Sequence, residues 1–300
     1  MNRIIVLASH FKCFLIVASS SFYLSACSAT DHEPISMPEH QVISCEDYAT
    51  EATNLGLLVN NVWNKHAAAN QATENTRQCI VKQQRDMGFV YGWLWDWPRS
   101  PRAVFAQPQL KLGASPWDPT RSFGNDFPIP VAEVKSAGLS HRLSVISNGN
   151  YNVATTMWFT DTPIDSRSEL SLDQRRQAIV AELMIWTYYT ADQFKPGGKK
   201  LYTATIGGLE WEYWYKEQWD DASKRNDNSW RYITFRLTNP SLDVNIDLDE
   251  LLDFARQHDA IDKRWYIGDL ELGTEVMGGQ GFASLEHFEF SLNKNPPLAK

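Results

Sequence analysis

Cysteine, histidine and helix-type periodicity are all in short supply in this 300-residue chain, and each shortage removes a class of protein. The four cysteines and seven histidines nowhere group at metal-ligand spacing, so no zinc site and no cofactor is expected. Basic residues (28) are outnumbered by acidic ones (36), for a net charge of −8. That sign argues against nucleic acid or anionic lipid as partner. After the first 26 residues no apolar run is long enough to span a bilayer. Helical periodicity is confined to Leu248 to His258, where Leu248, Leu251, Leu252 and Ala255 fall at i, i+3, i+4 and i+7. Asp247 is placed as its N-cap, with Glu250 at the capping-box spacing. Aromatic residues, by contrast, are plentiful: 12 Trp, 11 Tyr and 14 Phe. Cores do not require that much indole, and flat sugar faces stack well on it, so the composition points to carbohydrate.

The N-terminus reads as an address. Residues 1–26 hold Arg3 and Lys12, no acid, and an apolar run from Phe14, the pattern of a secretory signal. Leu24-Ser25-Ala26-Cys27 resembles the lipobox of bacterial lipoproteins, which implies cleavage before Cys27 and lipidation there; Ser28 then favours outer-membrane sorting in a Gram-negative cell. The alternative is an ordinary cleaved signal and a secreted protein. Removing 1–26 takes away those two positive charges, so −8 becomes −10. Residues 27–44 lack hydrophobic periodicity and are expected to form a tether. With Cys13 in the signal and Cys27 at the lipobox, Cys45 and Cys79 are the pair left to bond in an oxidising compartment.

From residue 45 to 293, short alternating or aromatic runs recur between turn signals, with a tail at 294–300. Strands are expected at 57–63, 89–97, 142–147, 151–160, 179–189, 200–206, 209–215, 231–237, 266–272 and 288–292, with Gly207-Gly208 as a hairpin turn. Residues 173–180 read either as a short helical turn or as the lead-in to the next strand. The pattern is all-β: an antiparallel two-sheet sandwich, with the 248–258 helix on its convex side. A monomer is expected.

The 179–186 run sets one carboxylate among seven apolar or aromatic residues. Alternation puts Glu182, Met184 and Trp186 on one strand face and Ala181, Leu183 and Ile185 on the other. The second set reads as core. The first aligns an acid, a thioether and a flat ring, as a sugar cleft needs; a solvated strand glutamate is the plain alternative. Near the C-terminus Glu271, Gly273 and Glu275 share a face, and Glu275 precedes the glycine-rich 278–281 turn, which would leave space beside it. Two glutamates on wet faces of neighbouring strands are the minimum apparatus for glycoside hydrolysis.

Ala181-Glu182-Leu183-Met184-Ile185-Trp186 resembles the E-[IVL]-M-I-W strand of glycoside hydrolase family 12, and Gly273-Thr274-Glu275 with Gly278 resembles its G-x-E…G segment. Asn61-Val62-Trp63, Trp93 and Trp95, the stretch from Phe105 to Trp117, and Pro196-Gly197 follow in the family's order, over roughly residues 45–292. The resemblance implies a jelly-roll sandwich with a concave cleft, endo-acting cleavage of β-1,4-glucans with retention, and no cofactor. It makes Glu182 the nucleophile and Glu275 the acid, then base, with carboxyls about 5–5.5 Å apart. Asn61, Trp63, Trp93, Trp95, Trp117, Asn152, Thr156, Met184, Trp186 and Pro196 become the substrate-binding residues. One departure stands out. Where the family carries N-V-A-Y-D this chain has Asn152-Val153-Ala154-Thr155-Thr156, so Thr156 replaces an acid that assists the nucleophile. Its hydroxyl is expected to face Glu182. A non-catalytic glycan-binding lipoprotein on the same fold is the competing reading.

Overall fold

The computed structural model describes residues 34–68, 76–86, 88–100, 103–124, 126–190, 194–220 and 228–294. The signal segment, Cys27 and the 295–300 tail lie outside the described residues.

Two sheets form a β-sandwich of jelly-roll type. The outer sheet runs in the order Gln41–Ser44, Arg77–Arg85, Gly88–Trp97, Val276–Lys294, Val134–Ser147, Asp243–Asp247. The inner sheet runs Thr50–Ala52, Leu57–Val59, Gln109–Ser115, Asp269–Gly273, Asn150–Thr160, Ile179–Tyr189, Ser229–Leu237, Leu209–Asp220, Lys199–Ile206. Pairing is antiparallel except between Ile179–Tyr189 and Ser229–Leu237 among the described strands. Strand alternation decides which residues fill the space between the sheets: Ala137, Leu139 and Leu143 from the outer sheet meet Ala181, Leu183, Ile185, Ile233 and Phe235 from the inner one.

The helix spans Leu248–Gln257 and buries Leu248, Leu251, Leu252 and Ala255, as its spacing requires. Phe254 packs against Tyr213 and Phe235, on the convex back of the inner sheet. The expected capping box does not form. Asp247 makes no side-chain cap, and Glu250 instead accepts the Gly207 amide at 2.7 Å. That bond holds the Gly207-Gly208 turn, whose two positive φ angles (57° and 75°) suit the two-residue hairpin it makes. The 173–180 segment is both things proposed for it: a helix Leu172–Gln177, boxed by Ser171 and Gln174, then a strand from Ile179.

Two expectations need correction. Part of the presumed tether is folded onto the outer sheet: Gln41–Ser44 pairs with Arg77–Arg85, and Met37 packs on Cys79, Leu94 and Phe282. Val42 and Ile43 are too short a run to show a period, but an open strand edge and the Cys45–Cys79 disulfide beside it fix them. The glycines after Glu275 do not leave open space. A Cβ at Gly278 would come within 2.3 Å of the Pro98 carbonyl oxygen, and one at Gly281 within 1.9 Å of the Trp95 ring. They are there because backbone and indole already fill the volume.

Candidate active site

Glu182, Met184 and Trp186 share the concave face of Ile179–Tyr189, and the alternate residues lie in the core. Across the ladder Glu182 pairs with Trp158 on one side and Tyr232 on the other. The Trp230 indole Nε1 donates to Glu182 Oε2 at 3.0 Å. Trp230 is wedged between Trp117 and Trp158, all three rings meeting edge to face at centroid separations of 5.3–5.7 Å.

Glu275 stands just past the end of Asp269–Gly273. Asn150–Thr160 lies between that strand and the strand of Glu182, so the two glutamates are one strand further apart than neighbours. The intervening strand supplies the clamp. Asn152 is fully buried; its Nδ2 donates to Glu275 Oε2, and its Oδ1 accepts the Glu275 amide at 3.1 Å. Burial pushes the Glu275 carboxyl up to about 7, against the lowering effect of the Asn152 bond. Both glutamates act electrostatically on the Tyr232 phenol, which lies across the ladder from Glu182. Burial first, then the charges of Glu275 and Glu182, hold that phenol's proton well above the usual range. Its hydroxyl donates to Met184 Sδ at 3.1 Å, and Trp219 stacks on its ring at 4.6 Å.

The remaining expected binding residues divide. Asn61 and Trp63 are partly exposed, with Asn61 Nδ2 donating to Gln109 Oε1, and Trp117 is half-buried on the concave side. Met184 and Trp186 lie on the cleft face as alternation requires, but Phe194, Trp219 and Tyr232 cover them, and each is only 2% exposed. Phe194 reaches Trp186 from the segment that carries Pro196; Pro196 is itself buried, and the neighbouring Gly197 fits against the Trp219 ring. Trp93 and Trp95 are a correction. Both point between the sheets, at 0% exposure, and Trp93 Nε1 donates to Thr274 Oγ1 at 2.8 Å. Their spacing put them on one strand face, and that face is the core. Thr156 is also a correction. It lies on the cleft face with Trp158, but its hydroxyl accepts a bond from Gln107 Nε2 at 3.2 Å, where Glu182 was the expected partner.

Sequence reasoning missed Trp230, Tyr232 and Gln107. The signal for the first two was present: Trp230, Tyr232 and Thr234 alternate with Ile233 and Phe235, which mark the core face. It also missed a second acid pair on the Glu275 side. Asp269 is buried with Glu271 beside it and Lys111 across the ladder from Glu271. Burial first, then Glu271, keeps the Asp269 carboxyl protonated well above its ordinary range, and its Oδ1 accepts the Trp158 amide at 3.0 Å. A groove of about 530 Å³ on the outer sheet, by Ser140, Asp243, His287 and Glu289, has no indole or phenol ring and lies on the far face.

A sheet face that sets two glutamates, one of them titrating near neutrality, among indoles and a phenol is the arrangement that glycoside hydrolysis requires. Comparison with known proteins agrees. The profile of glycosyl hydrolase family 12 matches residues 57–293, and the chain belongs to that family. Endoglucanase S of Pectobacterium parmentieri is 28% identical over 229 residues, covering 75% of this chain and 76% of that one. A family 12 xyloglucanase from Bacillus licheniformis superposes with a TM-score of 0.69 at 24% identity, over 83% of this chain and 99% of its own. An endoglucanase from Rhodothermus marinus gives 0.63 at 24% identity, over 84% and 99%.

Proposed function

We propose that the chain cleaves β-1,4-glucosidic bonds inside soluble or amorphous β-glucans with retention of configuration. Xyloglucan, mixed-linkage glucan and amorphous cellulose are the substrates that the resemblance and the relatives favour. Glu182 attacks the anomeric carbon as its bond to the leaving oxygen breaks, and Glu275 gives that oxygen its proton. The resulting glycosyl-enzyme ester is then opened by water, which loses a proton to Glu275. The observation that carries this reading is the near-neutral Glu275, part-buried and clamped by Asn152, acting together with a partly exposed Glu182 on the field at the Tyr232 phenol. An acid that keeps its proton to about pH 7 can protonate a sugar oxygen where an ordinary carboxylate cannot.

The test is incubation with xyloglucan, barley β-glucan and carboxymethylcellulose, with new reducing ends counted and the first-formed anomer read by NMR. A β-anomer appearing first supports retention, and an α-anomer first would overturn it. Lipidation at Cys27, with the enzyme held at the outer membrane as a monomer, is the accompanying proposal. Cys27→Ala should release a folded, active protein, and unchanged membrane association would refute the anchor.

A further inference from the structure

Glu182 is flanked by two strands. Asn150–Thr160 turns Ala154, Thr156 and Trp158 to the cleft, and none of these side chains titrates. Ser229–Leu237 turns Trp230 and Tyr232 to it, with Tyr232 directly across from Glu182. Beyond them stand Glu275 and, over the Trp219 ring, the Lys216 ammonium. The position at which the resemblance puts an assisting acid holds Thr156, and Gln107 engages its hydroxyl. The Glu182 carboxylate is instead bonded by the Trp230 indole at 3.0 Å. That indole cannot drift. It is 5% exposed, and Trp117 and Trp158 meet it edge to face at 5.7 and 5.4 Å.

We propose that Trp230 is the positioning residue of Glu182, its N–H fixing and stabilising the carboxylate from the strand opposite the one that carries Thr156. This rests on the reading of Glu182 as nucleophile. The chemistry differs from that of an acid partner. A carboxyl beside a carboxylate must share a proton with it, so the two titrate as a coupled pair. An indole N–H only donates and does not titrate. It therefore favours the ionised, attacking form of Glu182 and adds no titrating proton of its own to the rate profile.

The experiment uses two replacements at position 230: Trp230→Phe, and an isosteric replacement by 3-benzothienylalanine, which keeps the bicyclic shape and puts sulfur where the N–H was. Rates are measured across pH on a β-glucan that the unmodified enzyme hydrolyses. Loss of a hydrogen bond to a charged group should lower kcat roughly ten- to hundredfold with KM little changed. The acid limb should move up by about one unit, because the ionised carboxylate has lost a donor. In Glu182→Ala rescued by azide, the same replacements should have little further effect, since no carboxylate remains to be held. If the isostere keeps the original kcat and acid limb, or changes KM alone, Trp230 serves packing or substrate contact and the inference is overturned; the isostere decides even where the Phe variant fails to fold. Full activity in Glu182→Ala would overturn the nucleophile reading itself.

Discussion

Replacing Glu275 by glutamine should make the protein more stable, but only once the pH has risen above the ordinary glutamate range. The Glu275 carboxyl titrates at about 7 in the fold against 4.5 for an ordinary glutamate. Below pH 4.5 it is protonated in both folded and unfolded chains and contributes no difference. As pH rises the unfolded chain ionises first, so stability is lost until the folded carboxyl has ionised too, above pH 7. The rise from 4.5 to about 7 corresponds to roughly 3 kcal/mol at most. Glu275→Gln removes that penalty, and the amide oxygen can still accept the Asn152 Nδ2 bond. At pH 8 the variant should therefore be up to about 3 kcal/mol more stable, roughly 6–12 °C in Tm for a domain of this size. At pH 4 the two proteins should melt together. Urea titrations at both pH values, with the disulfide intact, measure the difference. A gap of equal size at pH 4 and pH 8, or a variant less stable at pH 8, would refute the account of Glu275 as a carboxyl held neutral by burial.

Asn152→Asp keeps the acceptor for the Glu275 amide but replaces the donor to its carboxylate with a second acid, so the basic limb of the pH–rate profile should move up; an unmoved limb would detach Asn152 from the titration. His141, fully buried between the sheets against Thr187, is lowered to about 4 by burial and then by His287. It is neutral in the fold and favours unfolding once protonated, so it should remove about 3 kcal/mol of stability as pH falls from 6.5 towards 4. His141→Gln should flatten that part of the stability curve, read by denaturant titration. Gly281→Ala would press a methyl group into the Trp95 ring and should cost about 1–3 kcal/mol or more by thermal melting.

How far the sequence could be read depended on whether a feature was carried by one strand or by two. The Glu182 face was legible because period-two alternation splits acid from core within eight residues, and the helix was legible from four apolar positions. Glu275 was legible as a strand-end carboxylate. Alternation puts Trp93 and Trp95 on a common face but does not say which face meets the other sheet, and here it is theirs. The partner of Thr156 comes from Gln107, 49 residues away, and that of Glu182 from Trp230, 48 residues away. Such contacts exist only once the strand order is known, and one chain read along its length does not carry strand order. The Gly278 and Gly281 positions failed for a related reason. A missing side chain looks like room until the neighbour that needs the room is placed.

The strand order also bears on how the chain is completed. Val276–Lys294, the described strand formed latest in the sequence, sits in the middle of the outer sheet, between Gly88–Trp97 and Val134–Ser147. Until it is made, those two strands face each other across a slot with both edges unpaired, and unpaired edges recruit other chains. A nascent or C-terminally clipped product therefore lacks more than a margin. It presents two adhesive edges at its centre, and Glu275, immediately before the missing strand, has lost the backbone that anchors it. Quality control by the cell should meet such fragments as aggregates, with no partly active intermediate between absence and the finished enzyme.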